Sequence, residues 1–102
     1  MKYIIVQTTT NNIKEAKKIA KILLEKKLAA CIHLSAVDSL YTWNNEFCEE
    51  VEYLLNIKTK KENFKKIKRK IKELHSYDVP EIISLKIDNI SKDYKDFIEE
   101  NC

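Results

Sequence analysis

A chain of 102 residues, 44% hydrophobic and 34% charged, is large enough for one core and needs neither a disulfide nor a metal to fold. Its longest unbroken apolar run, Leu28 to Ile32, is too short to cross a bilayer, and the opening Met1-Lys2-Tyr3-Ile4-Ile5-Val6-Gln7 lacks the h-region and cleavage site of a signal peptide. The formal charge is +3, the three cysteines form no C-x-x-C pair, and glycine is absent, which excludes a disulfide framework and any glycine-rich phosphate loop. Free cysteines at Cys31, Cys48 and Cys102 fit a reducing compartment, so the expected location is the cytoplasm.

Tyr3 to Thr9, rich in β-branched and aromatic residues, reads as a strand, and the polar run Thr10-Asn11-Asn12 ends it and can cap a helix. Ile13, Ala16, Ile19, Ala20, Leu23 and Leu24 then recur at helical spacing, which predicts an amphipathic helix over 12–27. Segments 28–36 and 37–43 are extended, continuous or bent near Ser35. A second extended run covers 46–59, and Asn44-Asn45 between the two is a hairpin-turn signal. Phe64, Ile67, Ile71 and Leu74 mark a helix over 60–74. Glu81 to Ile87 gives a last strand after Pro80, and a short helix with Tyr94, Phe97 and Ile98 inward closes the chain.

This order, β-α-β-β-α-β-α, predicts one α+β domain over 1–102 on the split βαβ plan of the ferredoxin-like superfold, with a four-stranded antiparallel sheet. With no glycine, turns needing positive φ fall to Asn or Asp, and Asn44-Asn45 and Asp88-Asn89 stand where such turns belong. The hairpin arms exceed an ordinary strand of about five or six residues, so they project past the sheet. Exposed edges and Tyr41, Trp43, Phe47 and Tyr53 on such a projection imply pairing between identical chains in a closed ring.

Four stretches carry a resemblance: Leu28-Ala29-Ala30-Cys31, Ser39-Leu40-Tyr41-Thr42-Trp43, Glu52 through Ile57-Lys58-Thr59, and His75-Ser76-Tyr77-Asp78-Val79-Pro80-Glu81-Ile82-Ile83. In order and spacing they resemble the CutA family of divalent-cation tolerance proteins, and Tyr94 to Ile98 is similar to its closing Tyr-x-x-Trp pattern. The resemblance implies a homotrimer of ferredoxin-like subunits with PII-like architecture, paired by strand edges. This chain departs from the family at Asn45 for glycine, Ser76 for proline and Phe97 for tryptophan, changes the fold tolerates. The copper site implied by the family uses a first-strand cysteine and a His-His pair, where this chain has Gln7, Leu74 and His75. One ligand of three remains, so the expectation is weak Cu(II) or Zn(II) binding through His75, with no cofactor required.

The residues expected to line a pocket between subunits are Lys58, Tyr77, Glu81, Tyr41 and Trp43, with His75 beside them. Each has a plainer role to set against this one. His75 can stabilise a helix C-terminus, Glu81 can pair with Lys58 across strands, and Tyr41 and Trp43 can pack on a partner chain. Cys31 and His33 share a strand face but make only two ligands.

Lys60 to Glu73 holds eight basic residues against two glutamates, which raises an RNA-binding module as the alternative. The RNP pattern needs glycine, however, and lysine is the usual occupant of a solvated helix face, so no nucleic-acid partner is expected. No nucleophile–base pair is visible, and the sequence predicts a binding protein rather than an enzyme.

Overall fold

The computed structural model describes residues 2–102; Met1 of the predicted domain lies outside them. Strand β1 (Tyr3–Thr10) alternates from Ile4 onward: Ile4, Val6, Thr8 and Thr10 are buried, whereas Ile5, Gln7 and Thr9 are half-buried, and Tyr3 at its start is buried as well. Helix α1 (Ile13–Glu25) starts where Asn12 Oδ1 accepts the Lys14 and Glu15 amides at 2.8 and 3.1 Å. The predicted capping run does cap. Ala16, Ile19 and Leu23 form the buried stripe.

Three residues of the predicted helix fall outside it, Asn12 as its N-cap and Lys26 and Lys27 beyond its end. Lys27 takes φ 56°, the Leu28 amide returns to Leu23 O at 2.9 Å, and the Lys27 amide bonds Leu24 O at 3.0 Å. This is a Schellman closure, in which a lysine holds the left-handed position usually given to glycine. Leu28 to Ala30 therefore bend ahead of the strand instead of starting it, and β2 (Cys31–Trp43) runs without a break through Ser35.

Strand β3 (Glu46–Lys60) pairs with β2 from Trp43↔Glu46 to Cys31↔Lys58. Asn44 and Asn45 both have positive φ, 52° and 63°, the geometry of a type I′ hairpin. Asp88-Asn89 does not adopt positive φ; Lys27 does instead. A 3-10 turn (Lys61–Asn63) replaces the predicted first turn of α2 (Phe64–Leu74), whose Ile67 and Ile71 are fully buried. Strand β4 (Ile83–Lys86) is shorter than predicted, and α3 (Lys92–Asn101) buries Ile98 but leaves Phe97 40% exposed.

The sheet order is β2-β3-β1-β4 and every pairing is antiparallel, the split βαβ arrangement expected from the sequence. Ile4, Val6, Leu55 and Ile57 join Ala16, Ile19, Leu23, Ile67 and Ile71 in one core between sheet and helices. Each large side chain buried there stabilises the fold by roughly 1.5–3 kcal/mol. The alternate residues, Ile5 and Leu54 with Leu85 and Ile83 beside them in register, lie on the opposite, open face. Tyr3 Oη donates to Glu99, fastening α3 to the end of the sheet.

Strand β1 reaches only to Tyr53 of β3, through the pair Thr10↔Tyr53. Beyond it, Val37–Trp43 and Glu46–Glu52 form a two-stranded ribbon roughly 20 Å long. Leu40, Trp43, Phe47 and Val51 on this ribbon are exposed.

Candidate functional site

The segment after α2 is held by a buried histidine. The His75 amide closes the helix on Ile71 O at 2.8 Å, and its imidazole is fully buried. Nδ1 accepts the Tyr77 amide at 3.0 Å, so that nitrogen carries no proton; Nε2, 2.7 Å from Thr9 O, must donate. Both ring nitrogens are thus engaged. Glu15 lies 3.7 Å from Nδ1. Burial pushes the Glu15 carboxyl upward, but hydrogen bonds from Thr10 and Ser76 outweigh it and hold the group below the usual carboxylate range.

This arrangement aims Tyr77. Its ring packs on His75 at 4.7 Å between centroids, and its hydroxyl donates to Glu52 Oε2 at 2.7 Å. Thr9, His75, Tyr77 and Glu52 therefore link the end of β1, the exit of α2 and the root of the hairpin. Farther along the ribbon Tyr41 Oη donates to Glu50 Oε1 at 2.7 Å. The Glu50 bond raises Tyr41 to about 12, and burial together with the Glu52 bond lifts Tyr77 higher still. Both phenols stay protonated through the neutral range and serve as donors to carboxylates.

Tyr41, Trp43, Tyr77 and Glu81, expected together from the sequence, do line one cleft of about 640 Å3 with Glu50, Glu52 and Asp78. Lys58 does not join them. It sits six positions from Glu52 along β3, about 20 Å away, and its ammonium lies 2.6 Å from His33 Nδ1. Nor does it pair with Glu81, because β4 is hydrogen-bonded to β1 and not to β3. Sequence reasoning missed Glu50 and Glu52 as lining residues. The available signal was two acids at i, i+2, which share a strand face. It also read His75 as a metal or pocket ligand or a helix-end charge, whereas its imidazole is buried with both nitrogens engaged.

A divalent cation, which the resemblance implies, finds no ready centre within one chain. Among the described residues no three of His, Cys, Asp and Glu gather closely enough to hold a metal ion. Gln7 is bonded to Asn56 at 2.8 Å, and coordination by His75 would break two buried hydrogen bonds. A second hollow, about 970 Å3, lies beside β4 and is lined by Lys2, Lys61, Lys65 and Lys86 with the single acid Glu62, over Ile4 and Phe64. No helix is long and apolar enough to cross a membrane.

Residues 4–101 match the family described as CutA1 divalent ion tolerance protein. The divalent-cation tolerance protein CutA of Thermus thermophilus is 40% identical over 98 residues, which span 95% of each chain. That of Pyrococcus horikoshii is also 40% identical over 98 residues, 95% of this chain and 96% of the relative. Among solved structures, the periplasmic divalent cation tolerance protein CutA of Archaeoglobus fulgidus superposes with a TM-score of 0.95 at 33% identity, covering 97% of both chains. CutA1 of Oryza sativa also gives 0.95, at 30% identity, covering 99% of this chain and 94% of that one.

Proposed function

The chain belongs to the CutA1 divalent ion tolerance family, and from that premise we propose that it works as a homotrimer binding a small cationic ligand at the root of the hairpin, to signal or buffer it in a PII-like manner. The observation that carries this reading is the two-stranded ribbon beyond β1. An isolated two-stranded hairpin is marginal in water, and this one also exposes Leu40, Trp43, Phe47 and Val51. A neighbouring copy would cover both faults.

Charge supports the same assembly. Residues 37–52 carry Asp38, Glu46, Glu49, Glu50 and Glu52 and no basic residue, while the hollow beside β4 is lined by four lysines with the single acid Glu62. An acidic hairpin from one subunit against the lysine-bearing β4 side of the next is a head-to-tail contact, which a three-fold rotation closes into a ring. The open sheet face, with Ile5, Leu54, Ile83 and Leu85, supplies an apolar centre for it.

In this reading the cleft binds and does not catalyse, since its phenols are locked as donors to Glu50 and Glu52. His75 is assigned to positioning Tyr77 instead of coordinating copper or zinc. Three free cysteines support a reducing, cytoplasmic setting. The RNA-binding alternative is disfavoured because the middle of the open face carries Ile5, Leu54, Ile83 and Leu85 around the Gln7–Asn56 amide pair, whereas RNA-recognition sheets stack bases on aromatic side chains.

Light scattering coupled to size exclusion tests the assembly. The expected mass is three chains at micromolar concentration, with Phe47→Glu shifting it toward one. A wild-type monomer would end the proposal.

A further inference from the structure

The two helices over the core carry more than half of the chain's basic residues. Together α1 and α2 hold ten of them against three acids, Glu15, Glu25 and Glu73. Glu15 is turned inward to Thr10 and Ser76, and Glu73 is bonded to Lys70 at 2.9 Å. Among the described residues Lys70 is the one basic residue of these helices that forms an ion pair. The other nine stand without an acidic partner.

Their placement differs from that of a face made only for solubility. Lys14, Lys18 and Lys21, at i, i+4 and i+7, run along the side of α1 opposite the buried Ala16, Ile19 and Leu23, and all three are exposed. Exposed Lys68, Arg69 and Lys72 do the same on α2, opposite Ile67 and Ile71. Because both buried stripes join one core, the two basic rows lie side by side on the outer surface, on helix axes about 8–10 Å apart. Like charges at i, i+4 repel on a helix, whereas glutamate placed four residues before lysine stabilises it. The chain has such acids but keeps five of them in residues 37–52, where no basic residue stands. This sorting of charge by region is an observation separate from the number of lysines.

The face offers charge and little else. Phe64, the one aromatic residue of the two helices, is half-buried against the core, so no ring is free to stack on a base. Each row is roughly 6–10 Å long at 1.5 Å per residue, too extended for its cations to converge on one phosphate. A chain of phosphates matches such rows. In the proposed ring the open sheet face points to the centre, so the helices of three subunits face outward in three directions. A flexible polymer can follow them around the ring, while a flat bilayer meets only one at a time.

We propose that the outer face of α1 and α2 binds a linear phosphate polymer without bases, of the inorganic polyphosphate class, held by Lys14, Lys18 and Lys21 on one helix and Lys68, Arg69 and Lys72 on the other. This surface lies apart from the hairpin cleft, and each chain carries it whole.

Fluorescence anisotropy of the intact protein with end-labelled long-chain polyphosphate tests this, with pyrophosphate, a single-stranded oligouridylate and phosphatidylserine vesicles as rivals. Polyphosphate should bind more tightly than any of them. Its affinity should fall with salt at a log–log slope of roughly −4, about 0.7 for each of six cations as on a single nucleic-acid strand. Lys18→Glu with Arg69→Glu should weaken binding at least tenfold, and Lys18→Gln with Arg69→Gln should fall between that pair and the wild type. Lys92→Glu with Lys95→Glu, an equal charge change at exposed positions on α3, should leave it within twofold. Circular dichroism verifies that each variant is folded. Equal weakening by the two glutamate pairs would mean that affinity follows net charge alone, which overturns the proposal. Tighter binding of the oligouridylate or of vesicles would give the face to a nucleic acid or a membrane, and pyrophosphate binding as tight as that of the polymer would reduce it to a local phosphate site; each outcome overturns the proposal. Absence of polyphosphate binding at low salt also overturns it, and leaves the trimer and its cleft untouched.

Discussion

Strand β3 passes through two environments. From Tyr53 to Lys58 it lies between β2 and β1, and Leu55, Ile57 and Thr59 are fully buried. From Glu46 to Glu52 it has β2 alone for a neighbour, and Phe47 and Val51 are 69% and 53% exposed. Both halves place apolar residues at alternate positions, Phe47 and Val51 in the outer and Leu55 and Ile57 in the inner, although the outer half alone carries glutamates, four of them. The apolar positions differ in the supply of covering groups within one chain: helices of the same chain cover the inner half, and in the proposed assembly a second copy covers the outer half.

The largest test of this contrast is Ile57→Ala. Loss of a fully buried branched side chain should cost about 2–5 kcal/mol, read as a lower denaturant midpoint whose drop is the same at every protein concentration. Phe47→Ser on the ribbon should instead lower the midpoint in a concentration-dependent way, because it acts through assembly. Identical behaviour of the two variants would erase the distinction.

Tyr77→Phe comes next, at the junction of the two regions. It leaves Glu52 buried without its donor, and a hydrogen bond to a charged group is worth roughly 1.5–3 kcal/mol. Denaturant unfolding should show a loss of that order, and Glu52→Gln should recover part of it by removing the charge. Failure of the second substitution to rescue would mean that the Glu52 charge is already compensated.

Much of the inner region was legible in the sequence. The 3.6-residue spacing of Ala16, Ile19 and Leu23, and of Ile67 and Ile71, located both helices because those side chains do form the buried stripes. Asn44-Asn45 located the hairpin because Asn tolerates positive φ. The helix end at Glu25 was not legible, since Lys27 carries no local signal for the left-handed conformation that the Leu23–Leu28 closure imposes. The site was half legible. Tyr41, Trp43, Tyr77 and Glu81 fall together, but Lys58 lay a strand-length away, and the burial of His75 depends on Thr9, which is distant in sequence.

Smaller effects sharpen the inner side of the comparison. Lys27→Gly should stabilise the fold by about 1 kcal/mol, since glycine occupies positive φ without the Cβ penalty. Chemical denaturation measures it directly, and a loss of stability would indicate that lysine contributes more through its side chain than its backbone costs.

The pH dependence is the smallest effect. A hydrogen bond to Glu99, and then burial, push Tyr3 up from 10.0 to about 12. A raised folded-state value means that the stabilisation is whole below pH 10 and is lost as pH rises toward 12. The unfolding midpoint should fall across that window, and Tyr3→Phe should flatten the slope. An unchanged slope would remove Tyr3 from the alkaline response.

Hydrogen exchange resolved by residue compares the two halves of β3 most directly. In the wild-type protein at micromolar concentration, amides in Val37–Trp43 and Glu46–Glu52 should be protected on the same scale as Tyr53–Lys60. In Phe47→Glu only the ribbon should lose its protection. A ribbon that exchanges within seconds in the wild type, beside a protected inner strand, would contradict the claim that a second copy completes the hairpin.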